Sequence, residues 1–191
     1  MNIPGYDYGR VARSPVTLDD LHRLEQTLGF DDADRRALLD AGEILRPQAE
    51  AMVDEWRAII GAHEHLARWF FGPDGKPDDA YKAGVKRRFV QWVVDLCSRP
   101  FDQAWLDYQH EIGLRHTPDK KNRTEGANTP SHVPLRYVLA FSIPVIHCVR
   151  QRLMQAGVSG DRLERMQAAW AKAVMLTLTL WTEPYTKDGL W

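Results

Sequence analysis

Apolar residues recur every three or four positions along most of this chain, and no stretch keeps the period of two that a half-buried strand requires. Leu18, Leu21, Leu24 and Leu28 follow Thr17, a natural N-cap, and the series stops at Gly29, so 17–29 reads as a first helix. The sixteen residues ahead of it, rich in Gly, Pro and Tyr, read as an ordered extension without regular structure. A second helix covers about 31–45, and Pro47 stands where the first turn of a third, "AEAMVDEWRAIIG", can begin. The short "HEHLARWFF" ends at the turn "GPDGKPD", and helices at about 79–98 and 101–116 follow. "TPDKKNRTEGANTPS" is the longest irregular piece, and a loop of that length in a compact domain is usually functional or mobile.

Two long helices close the chain. "VPLRYVLAFSIPVIHCVRQRLMQAG" has Pro134 at its start and Pro144 inside, where the missing N–H should kink it. Asp161 opens "RLERMQAAWAKAVMLTLTLW", which is apolar on more than one face toward its end. A helix of that kind must be buried on several sides. One side faces the core, and the other predicts a homodimer, with Trp170, Val174, Leu178 and Trp181 at the contact and the Pro144 helix alongside. The fold class is all-α.

Composition narrows the function. The 25 basic and 26 acidic residues nearly cancel, which removes the electrostatic reason to expect nucleic acid or an anionic membrane as partner. "MNIPGYDYGR" has no basic start followed by an apolar core, and no apolar run is long enough to span a bilayer. Cys97 and Cys148 are far apart and form no CxxC, so they read as reduced thiols, and a cytoplasmic location is expected. Seven tryptophans are a heavy load; packing explains them first, flat apolar walls for a cofactor second.

Common catalytic motifs fail. In "HEIGLRH" the two histidines are six positions apart and cannot stack as zinc ligands one turn from each other. P-loop, GxGxxG and GxSxG patterns are absent, as is CxxCH, so a haem here would carry no thioether bonds. Helical geometry then separates His110 from His116. Trp105, Tyr108, Ile112 and His116 step along one face, whereas His110 lies near another with Gln103, Asp107 and Leu114 and is expected to be more exposed. His116 therefore ends an aromatic and aliphatic stripe just before a basic loop. A haem needs that arrangement: a neutral imidazole, apolar groups against the ring, and cations near its carboxylates. Geometry alone leaves the choice open, since a histidine on an apolar face is more often a hydrogen-bonded structural residue than a ligand. Arg115, Lys120, Lys121 and Arg123 are most simply a solvated loop.

"IPGYDYGR", "FDQAWLDYQHEIGLRH", "KKN" and "WTEPYTK", together with the helix order, resemble the protoglobins along essentially the whole chain. The resemblance implies a single domain over 1–191 with a globin fold, a 3-over-3 helical sandwich. Residues 1–16 would be its N-terminal extension and 17–29 its additional N-terminal helix. It implies non-covalent haem b with His116 as proximal iron ligand, reversible binding of O2, CO or NO, and dimerisation through the last two long helices. By the same resemblance Trp56 and the position after it belong to the distal helix, and Phe70, Phe89, Phe141 and Val145 line the pocket beside Tyr108 and Ile112. Two positions depart from the family. Arg57 stands where a distal tyrosine is common, and Thr117 where a second histidine often follows the proximal one. Arg57 either reaches toward a haem carboxylate or solvent, or swings over the iron; the cost of burying an unpaired guanidinium favours the first. Two other readings compete with gas carriage or sensing. One is a haem enzyme with nitric oxide dioxygenase or peroxidase-like activity, and with carbene or nitrene transfer as promiscuity. The other is a haem-free helical interaction module.

Overall fold

Four of the helices begin where a short polar side chain takes up free N–H groups of the first turn. The computed structural model describes residues 3–186 and 189–191, so the first two residues of the extension and Lys187 of "WTEPYTK" lie outside it. Thr17 caps α1 (Leu18–Leu28) and Asp31 caps α2 (Asp32–Leu45), each in a reciprocal box with the aspartate three residues on. α1 ends at Gly29, whose φ of 61° is the left-handed conformation that glycine adopts without strain. A 3-10 turn over Arg46–Gln48, with Pro47 inside, leads into α3 (Ala49–Ala62). The short helical piece is α4 (Glu64–Ala67) plus a 3-10 turn over Arg68–Phe70. Asp78 caps α5 (Asp79–Leu96) and Asp102 caps α6 (Gln103–Leu114).

The late chain departs from the sequence expectation in two places, both at prolines. α6 stops at Leu114 and not at 116, because Pro118 holds Thr117 out of helical conformation; His116 sits in the tightened turn, its N–H donating to the Gly113 carbonyl at 3.0 Å. The kink expected at Pro144 is a full break. α7 (Leu135–Ala140) ends at the residue whose carbonyl Pro144 cannot serve, and α8 (Ser142–Gln155) restarts after Phe141 with Pro144 in its first turn. α9 (Gly160–Thr182) runs back along α8 and ends in a 3-10 turn over Glu183–Tyr185.

α9 is the hub, packing against α2, α8, α6 and α1, while α3 lies on α5 and touches α8. Gly113 permits one close approach: a β-carbon there would stand 3.2 Å from Trp181 Cα and 3.1 Å from Pro184. That contact draws the end of α6 onto the end of α9.

The four residues assigned to a dimer contact are internal. Trp170 is fully buried and donates its indole N–H to the Val145 carbonyl at 3.0 Å, and Val174, Leu178 and Trp181 are also buried. α9 is apolar on several faces because it is surrounded by its own chain and borders a cavity, which sequence periodicity cannot tell from a subunit interface.

Candidate functional site

A cavity of about 640 Å³ opens among α3, α5, α6, α7, α8 and α9. It brings together Arg57 of α3, Phe70 of the 3-10 turn, Phe89 of α5, Tyr108 and Ile112 of α6, His116 just after α6, Phe141 at the α7–α8 break and Val145 of α8. Trp92 and Trp181 also form its wall; the sequence alone assigns Trp92 no site and Trp181 to a dimer contact, and only their size and apolar surroundings hint at a cavity.

His116 is held from three directions. Its Nδ1 lies 2.9 Å from the Ile112 carbonyl, its ring stacks on Trp181 with centroids 5.5 Å apart, and its own carbonyl accepts from Val133 N–H and the Tyr185 hydroxyl. A carbonyl only accepts, so Nδ1 carries the proton and Nε2 keeps its lone pair. Burial pushes the imidazole pKa below its ordinary value, with the nearby Lys121 charge acting the same way, so the ring is neutral around pH 7. His110 lies outside this cavity, half-buried, with Nδ1 3.1 Å from Glu183 Oε2. It is less exposed than expected because the last turn of the chain folds back over it.

On α3, neighbouring residues project about 100° apart, and of Trp56 and Arg57 only the second lines the cavity. Arg57 borders it, with Nη1 3.6 Å from Asp54 Oδ1 one turn back. Trp56 does not reach the wall. It is 1% exposed, stands behind Phe89 with ring centroids 5.0 Å apart, and its Nε1 is enclosed without a hydrogen-bond partner on the side of Cys148.

The basic segment after His116 is solvated only in part: Arg123 is exposed, whereas Lys121 is buried. Lys121 is 3% exposed and donates to the Trp69 carbonyl at 2.8 Å and to Thr129 Oγ1 at 2.7 Å, while Asn122 and Thr129 bond each other across the loop. Arg115 bonds Glu111 and the Gly5 carbonyl, and Arg88 bonds Glu125 and the Pro4 carbonyl, so the N-terminal extension is tied to two cations of the cavity wall. Nothing local in "KKN" signals which lysine is buried; the loop closing on Trp69 decides it.

Burial brings the Lys121 ammonium down to about 8. Between pH 8 and about 10 the unfolded chain keeps a proton that the folded chain has released, so folding stability should rise with pH across that window. The expected gain is on the order of 2 kcal/mol, read as a higher urea midpoint, and Lys121→Met should lack the rise.

The side chains around the cavity form a single donor set: one unprotonated ring nitrogen, aromatic and aliphatic walls, and arginines at the edge. A flat apolar cofactor with carboxylate tails and a metal that accepts imidazole fits it. The fold and this site define a helical protein with a histidine-fronted apolar cavity. The Protoglobin family profile matches residues 17–191, and the chain belongs to that family. Family membership implies a haem cofactor. Solved structures similar to it include the globin domain of the Geobacter sulfurreducens globin-coupled sensor, at 14% identity and a TM-score of 0.69, covering 87% of this chain and 97% of that one. The architecture is an all-α globin fold. A search of curated proteins returned no match. No helix among the described residues is long and apolar enough to cross a membrane.

Proposed function

We propose that this protein holds haem b non-covalently through His116 Nε2 and binds a diatomic gas, O2, CO or NO, reversibly. The observation that carries the reading is the commitment of His116 Nδ1 to the Ile112 carbonyl, which fixes the ring and leaves Nε2 as the basic atom on an apolar cavity. Bound haem supplies an iron with one open coordination position. Phe70, Phe89, Phe141 and Val145 exclude water from the cavity and so protect the ferrous state, Ile112 packs on the His116 side, and Tyr108 and the neighbouring Arg115 and Arg88 suit the carboxylate edge. Trp56 supports Phe89 from behind. The enzyme alternative rested on Arg57 as a group acting on bound ligand; its pairing with Asp54 at the edge favours the carrier or sensor reading.

The test is the absorption spectrum of ferrous, haem-reconstituted protein before and after CO. A sharpened and shifted Soret band, distinct from that of free haem with CO, is expected. A spectrum matching free haem rejects the reading.

A cytoplasmic homodimer belongs to the same proposal. Ile143 and Met154 lie on one stripe of α8 and Met175 on α9, exposed at 53%, 55% and 38%, and two such stripes can cover each other about a twofold axis. Met175→Glu should turn a dimer into a monomer in sedimentation at micromolar concentration. A wild-type monomer under those conditions rejects the dimer.

A further inference from the structure

Gas binding at a haem raises a question that Trp56 and Arg57 leave unanswered: which group of this chain donates a hydrogen bond to the ligand. Bound O2 carries partial negative charge and gains from a donor, whereas bound CO is nearly apolar and gains little. Trp56 Nε1 is enclosed behind Phe89, and Arg57 is drawn to Asp54.

Several of the remaining polar groups of the wall are engaged, and Arg115, whose Nη1 has no partner among the described residues, follows α6 on the His116 side. Lys121 serves Trp69 and Thr129, Arg88 and Arg115 serve carboxylates and the N-terminal extension, and the Trp181 indole donates to Gln109. Trp92 Nε1 has no partner among the described residues but is enclosed, its ring packed against Trp170 and Trp181. Tyr108 has no partner for its hydroxyl among the described residues, but it lies on α6, the helix that carries His116. Tyr137 is only half-buried and stacks outward on His65 and Trp69.

Ser142 differs from all of these. It is 8% exposed, borders the cavity between Phe141 and Val145, and its hydroxyl makes no hydrogen bond among the described residues, yet it is not enclosed by protein. A serine inside a helix ordinarily turns its hydroxyl back to a carbonyl one turn earlier, as Ser98 does toward Val94 at 2.6 Å. Ser142 opens α8, just past the break that Pro144 imposes, and does not make that bond. Its placement also fits. α6 and α8 both pack on α9, but α8 also lies on α3, which packs on α5, so Ser142 is carried by a helix that joins the Arg57 and Phe89 side of the cavity and not by the helix that leads into His116.

We infer that the Ser142 hydroxyl is the hydrogen-bond donor to a diatomic ligand in this cavity and sets the preference between O2 and CO. The inference rests on the gas-binding reading. Val138, Val145 and Val174 leave it little competition from water, since each offers only apolar surface.

The experiment measures O2 and CO dissociation rates, and the C–O stretching frequency of the CO adduct, for haem-reconstituted wild type, Ser142→Ala and Ser142→Thr. Loss of one neutral hydrogen bond should speed O2 release roughly threefold to tenfold in Ser142→Ala, leave CO release within about twofold, and raise the C–O frequency. Ser142→Thr, which keeps the hydroxyl, should stay near wild type. Equal acceleration of both gases would mark a steric effect and overturn the inference, as would no change in either. Those outcomes leave gas binding standing. A wild type whose haem spectrum ignores both gases overturns both.

Discussion

His116→Ala is expected to lose tightly held haem, seen as a collapsed Soret band after gel filtration. Loss of an outer hydrogen-bond partner typically costs a metal site roughly 10–100-fold in affinity, and removal of the ligand itself should cost at least the upper end. The fold should survive, because His116 contributes a stacking contact with Trp181 but the turn is held by its backbone, through Val133, Gly113 and Tyr185. Far-UV circular dichroism should stay helical. His116→Gly with added imidazole should recover the spectrum, since a free imidazole fits the space vacated beside Ile112 and Trp181. His110→Ala should leave the haem in place, because His110 faces Glu183 outside the cavity. The pH profile should agree. A buried imidazole with a lowered pKa keeps Nε2 unprotonated below the ordinary histidine range, so acid release of haem should begin at lower pH than for an exposed histidine ligand. Wild-type spectra in His116→Ala would remove the proposed ligation.

Trp170→Ala should be the most destabilising of these substitutions, by about 3–5 kcal/mol, on the order of 10 °C in Tm. The indole is fully buried, packs edge-on to Trp92 with centroids 6.2 Å apart, and satisfies the Val145 carbonyl. Its loss leaves a void between α8 and α9 and removes one of the hydrogen bonds to the Val145 carbonyl. The same variant tests where Trp170 resides. An internal tryptophan lowers Tm independently of protein concentration, whereas an interface tryptophan would shift a monomer–dimer equilibrium. Thermal melts at two concentrations tenfold apart separate the cases, and a concentration-dependent loss would return Trp170 to a subunit contact.

Local chemistry wrote most of the helices into the chain. Thr17, Asp31, Asp78 and Asp102 mark four starts, Gly29 one stop, and Pro144 the break between α7 and α8. These act within a turn of their own position, so the sequence alone determined the all-α class and much of the element order. The stripe Tyr108, Ile112, His116 was legible for the same reason: residues one turn apart share a face wherever the helix packs. Resemblance, rather than periodicity, then singled out His116 as the proposed ligand.

Tertiary structure decided everything that depends on what lies across a gap. Whether the apolar faces of α9 meet its own core or a second subunit, whether Trp56 or Arg57 looks into the cavity, and which lysine of "KKN" is buried are each settled by a partner from a distant segment. Periodicity reports that a face must be covered and is silent about what covers it. Ser142 is the sharpest case. Its hydroxyl is unremarkable in sequence and matters only because helices brought from distant stretches of chain leave a cavity that Ser142 borders.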